Sequence, residues 1–257
     1  MFIDSHAHIY DERLKDRFNE IIENLNNNFL DYIVVPSCDY ESMKQAFEVS
    51  QKYDKIYCAL GMHPENSKDF DDEIMQFQLE NAKNAKVVAI GEIGLDYFYE
   101  FSKRTIQKKV LEQQLEYAKS INLPYIFHVR DAYDDFFSII KNYKIKAGVM
   151  HCFGGDKEIA KKALDLGLHI SFTCNLGYKN SINLREAGEY TPLDRIMIET
   201  DCPYMSPKNS RKEINTPMNV QYVAEELSYL KKMPIEKIAQ ITKENSLNFF
   251  DKIIVTK

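Results

Sequence analysis

The chain has no apolar run approaching the ~20 residues that span a bilayer, which excludes a membrane-spanning helix. Met1 leads straight into Phe2-Ile3-Asp4 with neither a basic stretch nor a cleavage site, so no secretory leader is expected and we read the protein as cytoplasmic. No CxxC pair occurs, which removes support for a zinc ribbon or a thioredoxin-like redox site. The five cysteines, Cys38, Cys58, Cys152, Cys174 and Cys202, are odd in number and widely spaced, and are expected to be reduced. Basic charge is not in excess: 33 Lys and Arg face 39 Asp and Glu, for a net charge of −6. That balance excludes a protein that coats nucleic acid by bulk electrostatics, but leaves room for one phosphate chain held by a local basic rim or by bound cations. Short repeats, low-complexity tracts and linkers are also missing, so residues 1–257 are expected to form one domain.

What is present is an ordinary apolar fraction, 44%, beside 28% charged residues, enough for a substantial core. Eight short segments rich in β-branched and aromatic residues read as buried parallel strands. They run over Met1–Ile9, Tyr32–Cys38, Lys55–His63, Val87–Ile93, Pro124–Arg130, Gly148–Phe153, His169–Cys174 and Arg195–Asp201. Amphipathic stretches between them suit surface helices, among them Arg13–Leu25, Tyr40–Lys52, Asp72–Asn84 and Arg104–Ile121; the pattern near Ser181–Glu189 is weak. Asn26-Asn27-Asn28 reads as a helix terminus, and helical patterns over Met218–Lys232 and Pro234–Phe250 follow a polar loop, Pro203–Pro217. Eight β-α units favour a closed α/β TIM (β/α)8 barrel over an open doubly wound sheet.

Only six histidines occur, and five of them, His6, His8, His63, His128 and His151, fall at strand ends. In a barrel all those ends open on one mouth, where active sites of this fold are built. His6 and His8, two apart, are expected to face the same way and chelate one ion. An HxH pair alone is a weak signal. Asp4 shares their parity and is expected to accept an imidazole N–H. Glu92 is an acid inside an apolar strand, where an unpaired charge is expensive, so it needs a cation. His128 and His151, on adjacent strands beside Glu92, complete a second nitrogen-rich site suited to zinc or, with waters, to manganese or magnesium. Asp201 closes the eighth strand opposite His6 and His8, and suits a double role as metal ligand and base toward a water. Glu199, one layer down, reads as support. Six ligands satisfy two metals, so His63 is assigned to the substrate; His169, at the opposite end of the barrel, is structural. Arg130 at the mouth and Lys208, Arg211 and Lys212 in the loop after the last strand are the cations available to phosphate.

Together, Asp4-Ser5-His6-Ala7-His8, Gly61-Met62-His63-Pro64, Gly91-Glu92-Ile93-Gly94-Leu95-Asp96-Tyr97, His128-Val129-Arg130-Asp131-Ala132, His151-Cys152-Phe153-Gly154-Gly155 and Glu199-Thr200-Asp201-Cys202-Pro203-Tyr204 resemble the TatD family of metal-dependent deoxyribonucleases, over nearly the whole chain. The resemblance implies two divalent ions (Mg, Mn or Zn): His6 and His8 on the first, His128 and His151 on the second, Glu92 bridging, Asp201 as ligand and base. It further implies hydrolysis of DNA phosphodiester bonds by activated water, in a 3′-5′ exonuclease-like manner. Glu65 stands where the family often has a second histidine, and Asn215-Thr216-Pro217 where it often has Asn-Glu-Pro; both departures bear on the substrate. Few stacking platforms are evident, so strand ends or single strands are the expected substrate, with Phe98, Tyr99, Phe153 or Tyr204 as base contacts. Two other readings stand beside this one. The first is hydrolysis of another ester or amide, such as an aminoacyl-tRNA ester, on the same metals; relatives acting on C–N bonds often carry a carboxylated lysine where this chain has Glu92. The second is a catalytically silent partner-binding protein, which has no need of a complete ligand set.

Overall fold

The computed structural model describes residues 1–143, 145, 147–210 and 212–254. Eight parallel strands follow in chain order around one sheet: β1 (Phe2–Asp4), β2 (Leu30–Pro36), β3 (Ile56–Leu60), β4 (Val87–Asp96), β5 (Tyr125–Arg130), β6 (Gly148–Met150), β7 (His169–Phe172) and β8 (Ile196–Ile198). The β8/β1 seam is bridged by backbone bonds from Ser5 N–H to Ile198 (3.2 Å), from Asp201 N–H to His6 (2.9 Å) and from His8 N–H to Cys202 (2.8 Å). These bonds carry the closure past the short strands, and they bind the two loops that bear His6, His8 and Asp201.

Helices lie between and after the strands: α1 (Phe18–Asn26), α2 (Tyr40–Lys52), α3 (Asp72–Asn81), α4 (Arg104–Ala118), α5 (Tyr133–Ile140), α6 (Lys157–Asp165), α7 (Ile182–Tyr190), α8 (Val220–Lys231) and α9 (Ile235–Phe249). Their starts are written locally. Asp39 caps α2 and forms a reciprocal box with Ser42, while Asp71 and Asp156 cap α3 and α6 through their side chains. The expected Arg13–Leu25 helix begins instead as a 3-10 turn, Glu12–Arg17, and Asn27 ends α1 as its composition suggested. The weak pattern after β7 does form a helix, because α7 buries Leu184 and Ala187 and Arg185 ties it to the carbonyls of Leu176 and Tyr178.

Strand alternation divides the core in two. Tyr32, Val34, Tyr57, Ala59, Ile126, Val149 and Met197 fill the barrel, whereas Ile33, Val35, Cys58, Phe127 and Ile198 pack outward against the helices. Phe249, Phe250 and Ile253 join the inner group and seal the end of the barrel opposite the mouth. Lys252 pins that plug by donating to the carbonyls of Ala82, Asn84 and Val87. Among the described residues no helix is long and apolar enough to cross a membrane.

Candidate metal centre

Inward parity, continued past the strand ends, brings the site residues together. Ile126 leads to His128, Val149 to His151, and Met197 to Glu199 and Asp201. At one locus His6 Nε2 and His8 Nε2 lie 3.3 Å apart, each 3.3–3.4 Å from Glu92 Oε1 and 3.4–3.5 Å from Asp201 Oδ1. At the other, His128 Nδ1 and His151 Nε2 lie 3.1 Å apart, at 3.4 and 2.8 Å from Glu92 Oε2. The His6 and His151 rings stack at 4.0 Å, so the loci adjoin, and Glu92 gives one oxygen to each. Ring nitrogens facing one another among carboxylate oxygens, nearly all buried, need positive charge between them. Nitrogen pairs with shared carboxylates fit divalent cations by number and chemistry.

An outer layer orients the rings. Asp96 Oδ2 lies 2.9 Å from His128 Nε2, and its Oδ1 accepts the N–H groups of Phe98 (2.9 Å) and Tyr99 (3.0 Å). Tyr10 Oη lies 2.9 Å from His8 Nδ1. Glu199 Oε1 accepts the Cys152 N–H at 2.6 Å and lies 3.4 Å from His151 Nδ1, near enough for charge attraction but not aligned as a hydrogen bond. Sequence reasoning gave no role to Asp96 or Tyr10. The available signal was spacing, since Asp96 follows Glu92 by four on one strand and Tyr10 follows His8 by two.

Glycine sets the strand spacing here. A Cβ on Gly94, whose φ is +150°, would stand 1.8 Å from the His128 carbonyl oxygen, and one on Gly61 would stand 2.5 Å from the Gly91 backbone. Three loop residues at the mouth, Asp131, Cys152 and Asp201, adopt φ of +54°, +41° and +54°. Such left-handed backbone costs a non-glycine residue of order 1–3 kcal/mol and concentrates at functional sites.

Several expectations are corrected. Regular pairing of β1 ends at Asp4, Ile3 is the residue that joins the barrel interior, and alternation shifts before His6. Asp4 therefore meets no imidazole N–H. It accepts the backbone N–H of His6 and both the N–H and hydroxyl of Thr200, locking the seam. Phe153 is 1% exposed and packs in the core, out of reach of a base. Lys208 is engaged by Glu226. Lys212 is exposed, and Arg211 lies outside the described residues. His63 caps the 3-10 turn Pro64–Asp69 by accepting the Glu65 N–H, yet its ring abuts His128 at 4.2 Å and its Nε2 lies 3.8 Å from Glu92 Oε2. It stands at the second locus.

Electrostatics follow from this packing. Burial alone would raise Glu92, but His151 and His6 beside it, with hydrogen bonds from His128 and His151, hold it well below the usual carboxylate range. Asp201 is likewise raised by burial and more than offset by His8, His6 and His151, so it stays ionised. Burial and the neighbouring His128 push His63 down to about 3, leaving it neutral.

The family model described as "TatD related DNase" matches residues 3–251. The chain belongs to the TatD family. It is 39% identical over 252 residues, 97% of this chain and 99% of the other, to "Uncharacterized metal-dependent hydrolase YabD" of Bacillus subtilis (strain 168). To "Uncharacterized metal-dependent hydrolase YcfH" of Escherichia coli (strain K12) it is 32% identical over 255 residues, covering 96% and 95%. The crystal structure of YJJV, a TatD homologue from Escherichia coli K12, superposes with a TM-score of 0.90 at 29% identity, over 97% of this chain and 98% of that one. This TatD chain is thus a metal-dependent hydrolase, and the clustered His and Glu side chains fit divalent metal.

Proposed function

We propose that the protein hydrolyses DNA phosphodiester bonds, trimming a 3′ strand end or frayed single strand, with two divalent ions (Mg, Mn or Zn) held by His6, His8, Glu92, His128, His151 and Asp201. The observation that carries this reading is Glu92 dividing its two oxygens between two histidine pairs, with Asp201 facing the first. Bound there, two cations would neutralise the phosphate, polarise its P–O bonds and make water nucleophilic near neutral pH.

The chain's own residues supply the rest. Asp201, ionised and fixed by its backbone bond to His6, is the base. It takes a proton as water oxygen bonds to phosphorus, while the bond from phosphorus to the 3′ oxygen breaks and that oxygen collects a proton from solvent. His63, neutral at working pH, can donate to a phosphate oxygen, and Arg130 at the end of β5 can pair with the neighbouring phosphate. A glutamate at position 92, where hydrolases of C–N bonds often carry a carboxylated lysine, favours the phosphoester. Location in the cytoplasm is supported by the five cysteines, all free.

Release of 3′ nucleotides from labelled single-stranded DNA in magnesium or manganese tests the reading. Asp201→Asn should lower kcat by about 10²-fold or more. Undiminished turnover in that variant would remove Asp201 from its role, and absence of any release from the native enzyme would end the DNA reading.

A further inference from the structure

Two aromatic–arginine pairs stand at the mouth, one beside each half of the metal centre, and the hydrolytic chemistry uses none of their rings. After β4, Phe98 and Tyr99 are 54% and 50% exposed, with ring centroids 4.7 Å apart. The Arg130 guanidinium lies 3.8 Å over Phe98 and 4.9 Å over Tyr99. After β8, Tyr204 is 50% exposed, lies edge-on to His8 at 6.2 Å, and carries the Arg13 guanidinium 4.5 Å above its ring. Strands β4 and β8 are four apart in a ring of eight, so the two pairs face each other across the mouth.

Leaving three large rings half in water beside a charged centre costs hydration free energy that folding does not recover. The first pair is also held at a fixed offset from the site. The carboxylate that touches His128 through Oδ2 accepts the backbone N–H groups of Phe98 and Tyr99 through Oδ1, so one side chain, Asp96, positions both an imidazole and the platform. A flat π-face matches a nucleobase, and Arg130, stacked on a ring, keeps the in-plane N–H donors that grip phosphate, whereas Arg13 is held by the Asp11 carboxylate through Nε (2.8 Å) and Nη2 (2.7 Å) and backs the Tyr204 ring. A simple phosphoester offers nothing to stack.

Resting on the phosphodiester reading above, we propose that Phe98–Tyr99–Arg130 and Tyr204–Arg13 form a two-sided clamp that stacks the unpaired bases flanking the scissile phosphate of single-stranded DNA. The clamp makes the required substrate unit a dinucleotide with both bases present, and it excludes duplex DNA, whose bases are already stacked on each other.

Turnover of a short single strand is compared with that of the same strand carrying abasic residues on either side of the 3′-terminal phosphodiester. Binding is read separately, from the fluorescence of 2-aminopurine placed at the 3′ end. The native enzyme should show a KM about tenfold or more higher for each missing base, and it should quench the fluorophore. Phe98→Ala/Tyr99→Ala and Tyr204→Ala should each erase the preference on one side and weaken the quench. Phe98→Tyr/Tyr99→Phe and Tyr204→Phe should restore both, which separates stacking from loss of fold. Equal KM for intact and abasic strands, or alanine variants that keep the full preference, would overturn the clamp even if DNA is cleaved. Quenching that depends on these rings without any cleavage would sustain the clamp and defeat the hydrolytic reading instead.

Discussion

At the scale of single residues, the two halves of the centre are supported differently. His128 leans on the carboxylate of Asp96, whereas His8 leans on the phenol of Tyr10, and His6 Nδ1 has no hydrogen-bond partner. A carboxylate behind an imidazole fixes its orientation and strengthens it as a donor to metal. Asp96→Asn should therefore weaken one of two metal-binding steps about 10–100-fold while sparing the other, read by calorimetric titration with manganese; equal weakening of both, or of neither, would contradict this. A second titratable residue lies far from the metals. His169 packs on Phe249 at the sealed end, its Nδ1 unpartnered, and burial, then repulsion from Arg195, lowers it to about 4. Since the unfolded histidine titrates near 6.5, the fold holds this contribution in full above that pH and loses it as pH falls from 6.5 towards 4. Urea midpoints at pH 7 and 4.5 should fall less in His169→Gln than in the native protein, and an identical fall would show that His169 does not titrate as described.

At the scale of elements, β4 does more than the hydrophobic pattern indicated. The apolar run ends at Ile93, yet the strand continues to Asp96, because Gly94 lets it pass against β5 where any side chain would collide with the His128 carbonyl. Gly94→Ala should cost more than about 3 kcal/mol of stability, whereas Gly167→Ala, with φ of +79° and open space around it, should cost about 1 kcal/mol. Chemical denaturation distinguishes them, and similar costs would show that close approach does not matter. The eight strands and the convergence of six site residues were legible in the sequence because β-branched runs and inward parity follow from local pattern. The helix near Ser181–Glu189 was legible as a weak pattern, which tertiary contacts of Leu184 and Arg185 firm into α7. Two things were not legible. The parity shift between Ile3 and His6 depends on seam bonds from β8, and this misplaced Asp4. Core burial of Phe153, right after a site histidine, depends on packing that a single sequence does not display.

At the scale of the whole molecule, the barrel is open at one end and plugged at the other. Phe249, Phe250 and Ile253 fill the floor, Lys252 ties them to the turn before β4, and seam bonds hold the opposite rim. Rigidity is thus supplied from below and around the mouth, where the loops at Asp131, Cys152 and Asp201 hold left-handed backbone. All of this serves the claim that two divalent ions at that mouth cleave DNA. Chelator-stripped protein, titrated with manganese against labelled single-stranded DNA, tests the claim directly. Release of 3′ nucleotides should be absent at the start and rise until two equivalents per chain are bound. Release by the stripped protein, or none at any manganese concentration, would contradict it.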